Sequence, residues 1–312
     1  MSDHNIKLPL DTTRRKLLAT LAAAPLLLTA MGASQPVSPA TRPIPSSGEA
    51  LPLVGLGSWI SFNVGNDKAA RDASTEVIRS FFQAGGRLLD SSPMYGSAQE
   101  VIGYSLSKIG HYPELFAADK VWISGSEKGR VQIEKSRQLW GIERFDLLQV
   151  HNLLSWEDHL PTLFAIKASG KLRYVGITTS HGRRHGDMEQ LMRSQPLDFV
   201  QLTYNLEDRE AEQRLLPLAL ERGIAVIVNR PFQQGALLRR LARHQLPPWT
   251  AEIDCTSWAQ FALKFVISHP AVTCAIPATS SVAHVLENMG AAMGRLPDKT
   301  MRTRMATYVD SL

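Results

Sequence analysis

The chain has 312 residues, 44% of them hydrophobic and 20% charged, with a formal net charge of +5. This excludes collagen-like, coiled-coil and disordered chains and leaves material for one large core or two modest ones. The charge is spread along the chain with no run of five like charges, so no nucleic acid partner is expected, and two cysteines, Cys255 and Cys274, neither build a disulfide framework nor show zinc or redox spacing.

In chain order, Thr12-Thr13-Arg14-Arg15-Lys16 leads into an apolar run from Leu17 to Met31, broken by Thr20, Pro25 and Thr29 and followed by Gly32, Ala33 and Ser34. The run is too short and too early for a membrane-spanning helix. A basic start, an apolar stretch and small residues make a signal peptide over 1–33, against the competing reading of an uncleaved anchor. Its paired arginines resemble a twin-arginine signal. That resemblance implies the twin-arginine export machinery as a partner, a periplasmic or otherwise exported destination, and loading of any cofactor before export. No cysteine follows the run to carry a lipid, so stable membrane insertion after processing is not expected. Residues 34–50, rich in Pro and Ser, predict an extended linker with no core of its own, and the folded domain is expected over 51–312.

From Leu51 onward short apolar runs alternate with helix-period segments. Predicted strands are Arg87–Asp90, Leu115–Ala118, Leu147–Val150, Tyr174–Thr178, Phe199–Leu202, Ala225–Val228 and Val272–Ile276, with an eighth near Leu53–Gly57 or as one of a short N-terminal hairpin. Predicted helices are Ala73–Ala84, Gly129–Leu139, Leu160–Ala168, Asp187–Arg193, Glu212–Glu221 and Ser257–Ser268. Nearly all-apolar strands are those of a parallel sheet covered on both faces. Eight βα units in about 260 residues, with no Pro/Gly-rich divide, predict an α/β fold of the (β/α)8 TIM-barrel type in a single domain. The rival, a doubly wound open sheet, lacks its phosphate-binding glycine pattern, because Gly55-Leu56-Gly57 continues as Ser58-Trp59-Ile60.

In such a barrel the active site lies at the carboxyl ends of the strands. Four residues stand out there: Asp90, Tyr95 five residues on, Lys120 and His151. A free phenol with a pKa near 10 needs a neighbouring cation to exchange protons near neutrality. Lys120 is the predicted cation, with Asp90 holding it charged; lowering the phenol by three units takes roughly 4 kcal/mol. His151 is placed to orient a carbonyl.

In this order Pro52-Leu53-Val54-Gly55-Leu56-Gly57-Ser58-Trp59, Asp90-Ser91-Ser92-Pro93-Met94-Tyr95-Gly96, Lys120-Val121-Trp122, Asp146–His151 and Ile276-Pro277 leading to Glu287-Asn288 resemble the aldo-keto reductases from Leu51 to about Ala292. The resemblance implies an NAD(P)H-dependent oxidoreductase that reduces an aldehyde or ketone. Tyr95 would be its general acid, Lys120 and Asp90 would tune it, and His151 would orient a small carbonyl substrate. It places Trp59 and Trp122 in the substrate pocket. It assigns the cofactor to Gln201, Thr178, Thr179, Arg230, Thr279, Ser280, Glu287 and Asn288. Thr178-Thr179 stand where the family often has Ser-Asn, and Asn229 replaces a tyrosine that many members stack on nicotinamide. No Lys or Arg stands in Ile276–Ser281 to meet a 2′-phosphate, so NADP(H) is favoured only slightly over NAD(H).

His181 and His185 have metal-ligand spacing, but Gly182 and Gly186 predict a loop, and no metal is expected. A monomer is expected, with Cys255 and Cys274 as separate thiols. Because free nicotinamide cofactor is not expected outside the cytoplasm, an exported non-catalytic barrel that binds ligand or cofactor is the alternative.

Overall fold

The structure, a computed structural model, describes residues 1–2 and 38–312. The expected export signal and the first residues of the expected linker therefore lie outside the described residues. Where the linker was expected, residues 41–52 form a hairpin of strands β1 (Thr41–Pro43) and β2 (Ala50–Pro52), with Arg42 opposite Leu51. Proline content pointed to an extended chain; the chain is extended, but it has a core. Ile44 and Leu51 are fully buried with Leu88, Phe116, Leu147, Phe199 and Ala225, each of which opens or nearly opens its strand. The hairpin thus floors the barrel, and the folded body starts near Ser38 and not at Leu51. Glu49 pins its tip to Arg87 at 3.0 Å, and the Tyr174 hydroxyl donates to Glu49 at 2.9 Å. Ile44→Ala should cost about 2–5 kcal/mol in chemical denaturation, as for other buried aliphatic truncations; unchanged stability would show the hairpin to be an appendage.

Eight parallel strands follow: β3 (Leu56–Gly57), β4 (Leu88–Asp90), β5 (Phe116–Val121), β6 (Leu147–Val150), β7 (Tyr174–Thr178), β8 (Phe199–Thr203), β9 (Ala225–Asn229) and β10 (Val272–Ala275). They pair in sequence order from β3 to β10. The ends then meet. Gly55 N–H donates to Ala275 O at 2.8 Å, Ala275 N–H to Leu53 O at 2.9 Å, and Gly57 N–H to Pro277 O at 3.1 Å. The sheet closes into a (β/α)8 barrel, which removes the open-sheet rival.

Side chains alternate across each strand. Leu88, Phe116, Leu147, Tyr174 and Phe199 fill the barrel, while Leu89, Ala117, Leu148, Val175 and Val200 pack outward against the helices. Helix Lys68–Gln83 starts on the Asp67 side chain, which accepts from Ala70 N–H, and buries Ser74, Val77, Ile78 and Phe81 at helical spacing. Helix Trp258–Ile267 is capped in the same way by Ser257 and helix Lys299–Asp310 by Asp298. Helix Ala98–Ile109 was not predicted, its periodicity being diluted by Ser105, Ser107 and Gly103. A Cβ on Gly103 would meet Leu139 O at 1.8 Å, so the glycine permits close packing on helix Ser126–Trp140. Among the described residues no helix is long and apolar enough to cross a membrane.

Candidate active site

Following the interior positions up each strand in steps of two turns an apolar core into a polar mouth. Leu88 gives way to Asp90, Phe116 and Ala118 to Lys120, Leu147 to Gln149 and His151, and Phe199 to Gln201 and Thr203. The period-two geometry of the strands therefore delivers these groups to one end of the barrel.

Lys120 is fully buried. Its Nζ donates to Asp90 Oδ2 at 2.6 Å and to Ser91 O at 2.8 Å, and lies 5.3 Å from the centre of the Tyr95 ring. The other Asp90 oxygen accepts from Gln201 Nε2 at 3.0 Å. Asp90 and Lys120 form a dry ion pair, anchored on both sides, directly behind Tyr95. Burial alone would discharge Lys120, but Asp90 and then Tyr95 outweigh it and raise its pKa.

The Tyr95 loop is held from outside. Gly96 has φ +60°, and a Cβ there would meet Asn63 Oδ1 at 2.3 Å. The same Asn63 oxygen accepts from Ser97 N–H at 3.0 Å, and Ser97 Oγ accepts from Gly65 N–H at 2.8 Å. The Tyr95 ring meets His151 edge-on at 5.8 Å between centres and tilts against Trp59 at 6.5 Å.

Burial pushes the Tyr95 phenol above its ordinary value, Lys120 pulls it back, and Asp90 weakens that pull. The expectation that Lys120 brings the phenol toward neutrality is thus corrected. Burial outweighs the pull of an ammonium already paired with Asp90, and Tyr95 stays protonated at neutral pH. His151 shifts in the opposite sense: burial, reinforced by Lys120, lowers it to about 3, so the ring is neutral. For a histidine of depressed pKa, the unfolded chain binds the proton that the folded chain refuses, so stability falls as pH drops from about 6.5 toward 3. His151→Gln should flatten that acid-side slope in denaturation measured at pH 7 and pH 5, and an unaltered slope would place the shift elsewhere.

The barrel mouth opens into a cavity of about 600 Å³. Asp90, Tyr95, His151, Trp59, Thr178, Thr179, Gln201, Arg230, Thr279, Glu287 and Asn288 line it. Lys120 lies beneath the wall, whereas Ser280 and Trp122 lie outside the lining. Ser280 is exposed because it stands just before the Ser281 cap of helix Val282–Gly290. Trp122 is 40% exposed on the rim, its ring centre 6.3 Å from that of His151. The Thr179 hydroxyl turns away toward Met188 Sδ at 3.8 Å, while Thr178 Oγ1 accepts from Asn152 N–H at 3.2 Å. Asn229 is engaged at both ends of its amide, by Thr203 at 2.7 Å and by Thr179 O at 2.9 Å. It braces adjacent strand ends where a ring would otherwise stand.

Sequence reasoning passed over Gln149 and Ser92. Gln149 sits beneath Asp90 with its Oε1 unpartnered among the described residues, and its signal was a polar residue inside an apolar strand. Ser92 is fully buried with its Oγ 2.8 Å from His151 Nδ1. His181 and His185 point to Ser180 and Glu210, and no group of three metal-binding side chains occurs among the described residues.

A profile of the aldo/keto reductase family matches residues 53–307. The chain belongs to the aldo/keto reductase family. Its relatives include the methylglyoxal reductase YeaE of Escherichia coli K12, 29% identical over 76% of this chain and 84% of the relative. An NADH-specific methylglyoxal reductase of the same organism is 25% identical over 66% and 71%. Among solved structures, an aldo/keto reductase from Klebsiella pneumoniae in complex with NADP and acetate superposes with a TM-score of 0.71 at 23% identity, covering 84% of this chain and 93% of that one. This aldo/keto reductase is thus a TIM-barrel enzyme with an Asp–Lys–Tyr–His cluster at the barrel mouth.

Proposed function

We propose that the enzyme reduces a small aldehyde or ketone to the alcohol, with Tyr95 as the proton donor. The observation that carries this is the Tyr95 ring 5.3 Å from a buried Lys120 ammonium that is itself paired with Asp90 at 2.6 Å, with the His151 ring edge-on at 5.8 Å. The polar groups from Gln201 through Thr279 to Asn288 make a cleft whose donor set suits a nicotinamide dinucleotide: amides at the ring end, hydroxyls and an amide at the adenine end. When bound, that cofactor supplies hydride to the carbonyl carbon. His151 holds the carbonyl oxygen. Tyr95 gives its proton to that oxygen as charge develops there, and the phenolate left behind is stabilised by Lys120 until solvent reprotonates it. Asp90 keeps Lys120 charged throughout the cycle.

Arg230 is the only Lys or Arg among the described residues that line the cavity, and Glu287, which also lines it, would add a negative charge at the adenine end. A 2′-phosphate therefore gains little, and NADPH should hold only a small advantage over NADH. The relatives' activity makes short 2-oxoaldehydes, methylglyoxal among them, the first substrates to try. The basic–apolar N-terminus supports export through a twin-arginine route, with cofactor carried along in the cleft. The test is NADPH and NADH oxidation by the purified chain with a panel of small aldehydes. Turnover with at least one aldehyde is expected; cofactor binding without any turnover would favour the non-catalytic barrel.

A further inference from the structure

We infer that Ser92 fixes the tautomer of His151, so that the ring presents its Nε2–H to the cavity and keeps Nδ1 bare. The inference rests on the proposed reduction for its consequence, but its geometry stands alone. Ser92 Oγ has two recorded partners. It accepts from Met94 N–H at 3.2 Å, and it lies 2.8 Å from His151 Nδ1.

Ser92 is fully buried and His151 is 6% exposed, so water does not compete for either. A neutral imidazole carries one ring proton. If that proton sat on Nδ1, it would point at Ser92 Oγ, and the serine's own hydrogen would have no acceptor in a dry site. That outcome costs about 1–3 kcal/mol. If Nδ1 is bare, the serine donates to it, Met94 N–H is satisfied at the same oxygen, and every polar group is used once. The remaining ring proton is then on Nε2, the nitrogen not engaged by Ser92, on a residue that lines the cavity. Burial, and after it Lys120, keeps the ring from taking a second proton. Ser92 is accordingly a positioning residue: it never meets the substrate, and it determines which ring nitrogen can donate to it.

The experiment is a long-range ¹H–¹⁵N correlation spectrum of the full chain labelled at histidine. His151 is assigned by its absence in His151→Gln. The unmodified protein should show an unprotonated Nδ1 and a protonated Nε2 for His151 at neutral pH; a protonated Nδ1 overturns the inference whether or not any Ser92 variant folds. In Ser92→Ala the two ring signals should move toward an averaged, mixed-tautomer position, and kcat should fall about tenfold with KM changing less, the loss of one neutral hydrogen bond. Ser92→Thr, which keeps the hydroxyl, should restore the spectrum; a Ser92→Ala spectrum identical to that of the unmodified protein also overturns the inference. Absence of carbonyl turnover in the unmodified chain would instead remove the proposed reduction and leave the spectrum to decide the tautomer.

Discussion

Tyr95→Phe should lower reductive turnover by about 10²–10⁴-fold, the usual worth of a positioned proton donor. The substitution removes one oxygen and leaves the ring against Trp59 and His151, so folding and nicotinamide binding should change little. Lys120 Nζ keeps its bonds to Asp90 and Ser91 O, which do not involve the phenol. The expected signature is therefore a collapse in kcat with intact cofactor quenching or fluorescence. Because burial raises the phenol while Lys120 restrains it, the donor stays protonated through neutral pH. Reduction should then show no loss of activity from Tyr95 ionisation between about pH 6 and 9. Reduction that survives Tyr95→Phe unchanged would end the assignment.

Much of this site could be read before any coordinates, and the reason is periodicity. β6 and β7 match their predicted limits because they are short, mostly apolar runs with no charged residue inside them. β5 runs on to Val121 because Asp119 and Lys120 are charged yet lie within the strand, both fully buried. A propensity argument ends the strand at the first charge; pairing of Lys120 with Asp90 overrides it. Asp119, facing the helices, is satisfied by Gln99 Nε2 at 2.7 Å and by Lys120 N–H at 2.7 Å, and burial lifts its carboxyl to about 7. A short N-terminal hairpin was only an alternative to a strand at Leu53–Gly57, and its reach back into residues 41–50 was missed for a related reason. Residues 34–50 look like a linker by composition, and the one residue that contradicts this, Ile44, is recognisable only once the barrel floor it plugs exists. Ser92 was equally invisible, since nothing local says that a serine in a turn will meet a histidine 59 residues away.

The ion pair behind Tyr95 sets the other large effect. Lys120→Met leaves the Asp90 carboxylate in a dry interior with only the amides of Gln201 and Gln149 beside it. Removing one partner of a buried pair costs about 3–5 kcal/mol because the remaining charge is stranded. The single variant should therefore be less stable in urea and inactive, and inactivity alone would not separate chemistry from folding. The double variant Lys120→Met with Asp90→Leu separates them. Exchanging a whole buried pair for apolar groups is often close to neutral, so much of the stability should return, less whatever Gln201 loses with its acceptor. Activity should not return, because the charge that would stabilise the Tyr95 phenolate is gone. A stable double variant with restored turnover would show that the ammonium serves the fold alone. A stable double variant without turnover assigns the cost of keeping two charges dry inside the barrel to the reaction that they serve.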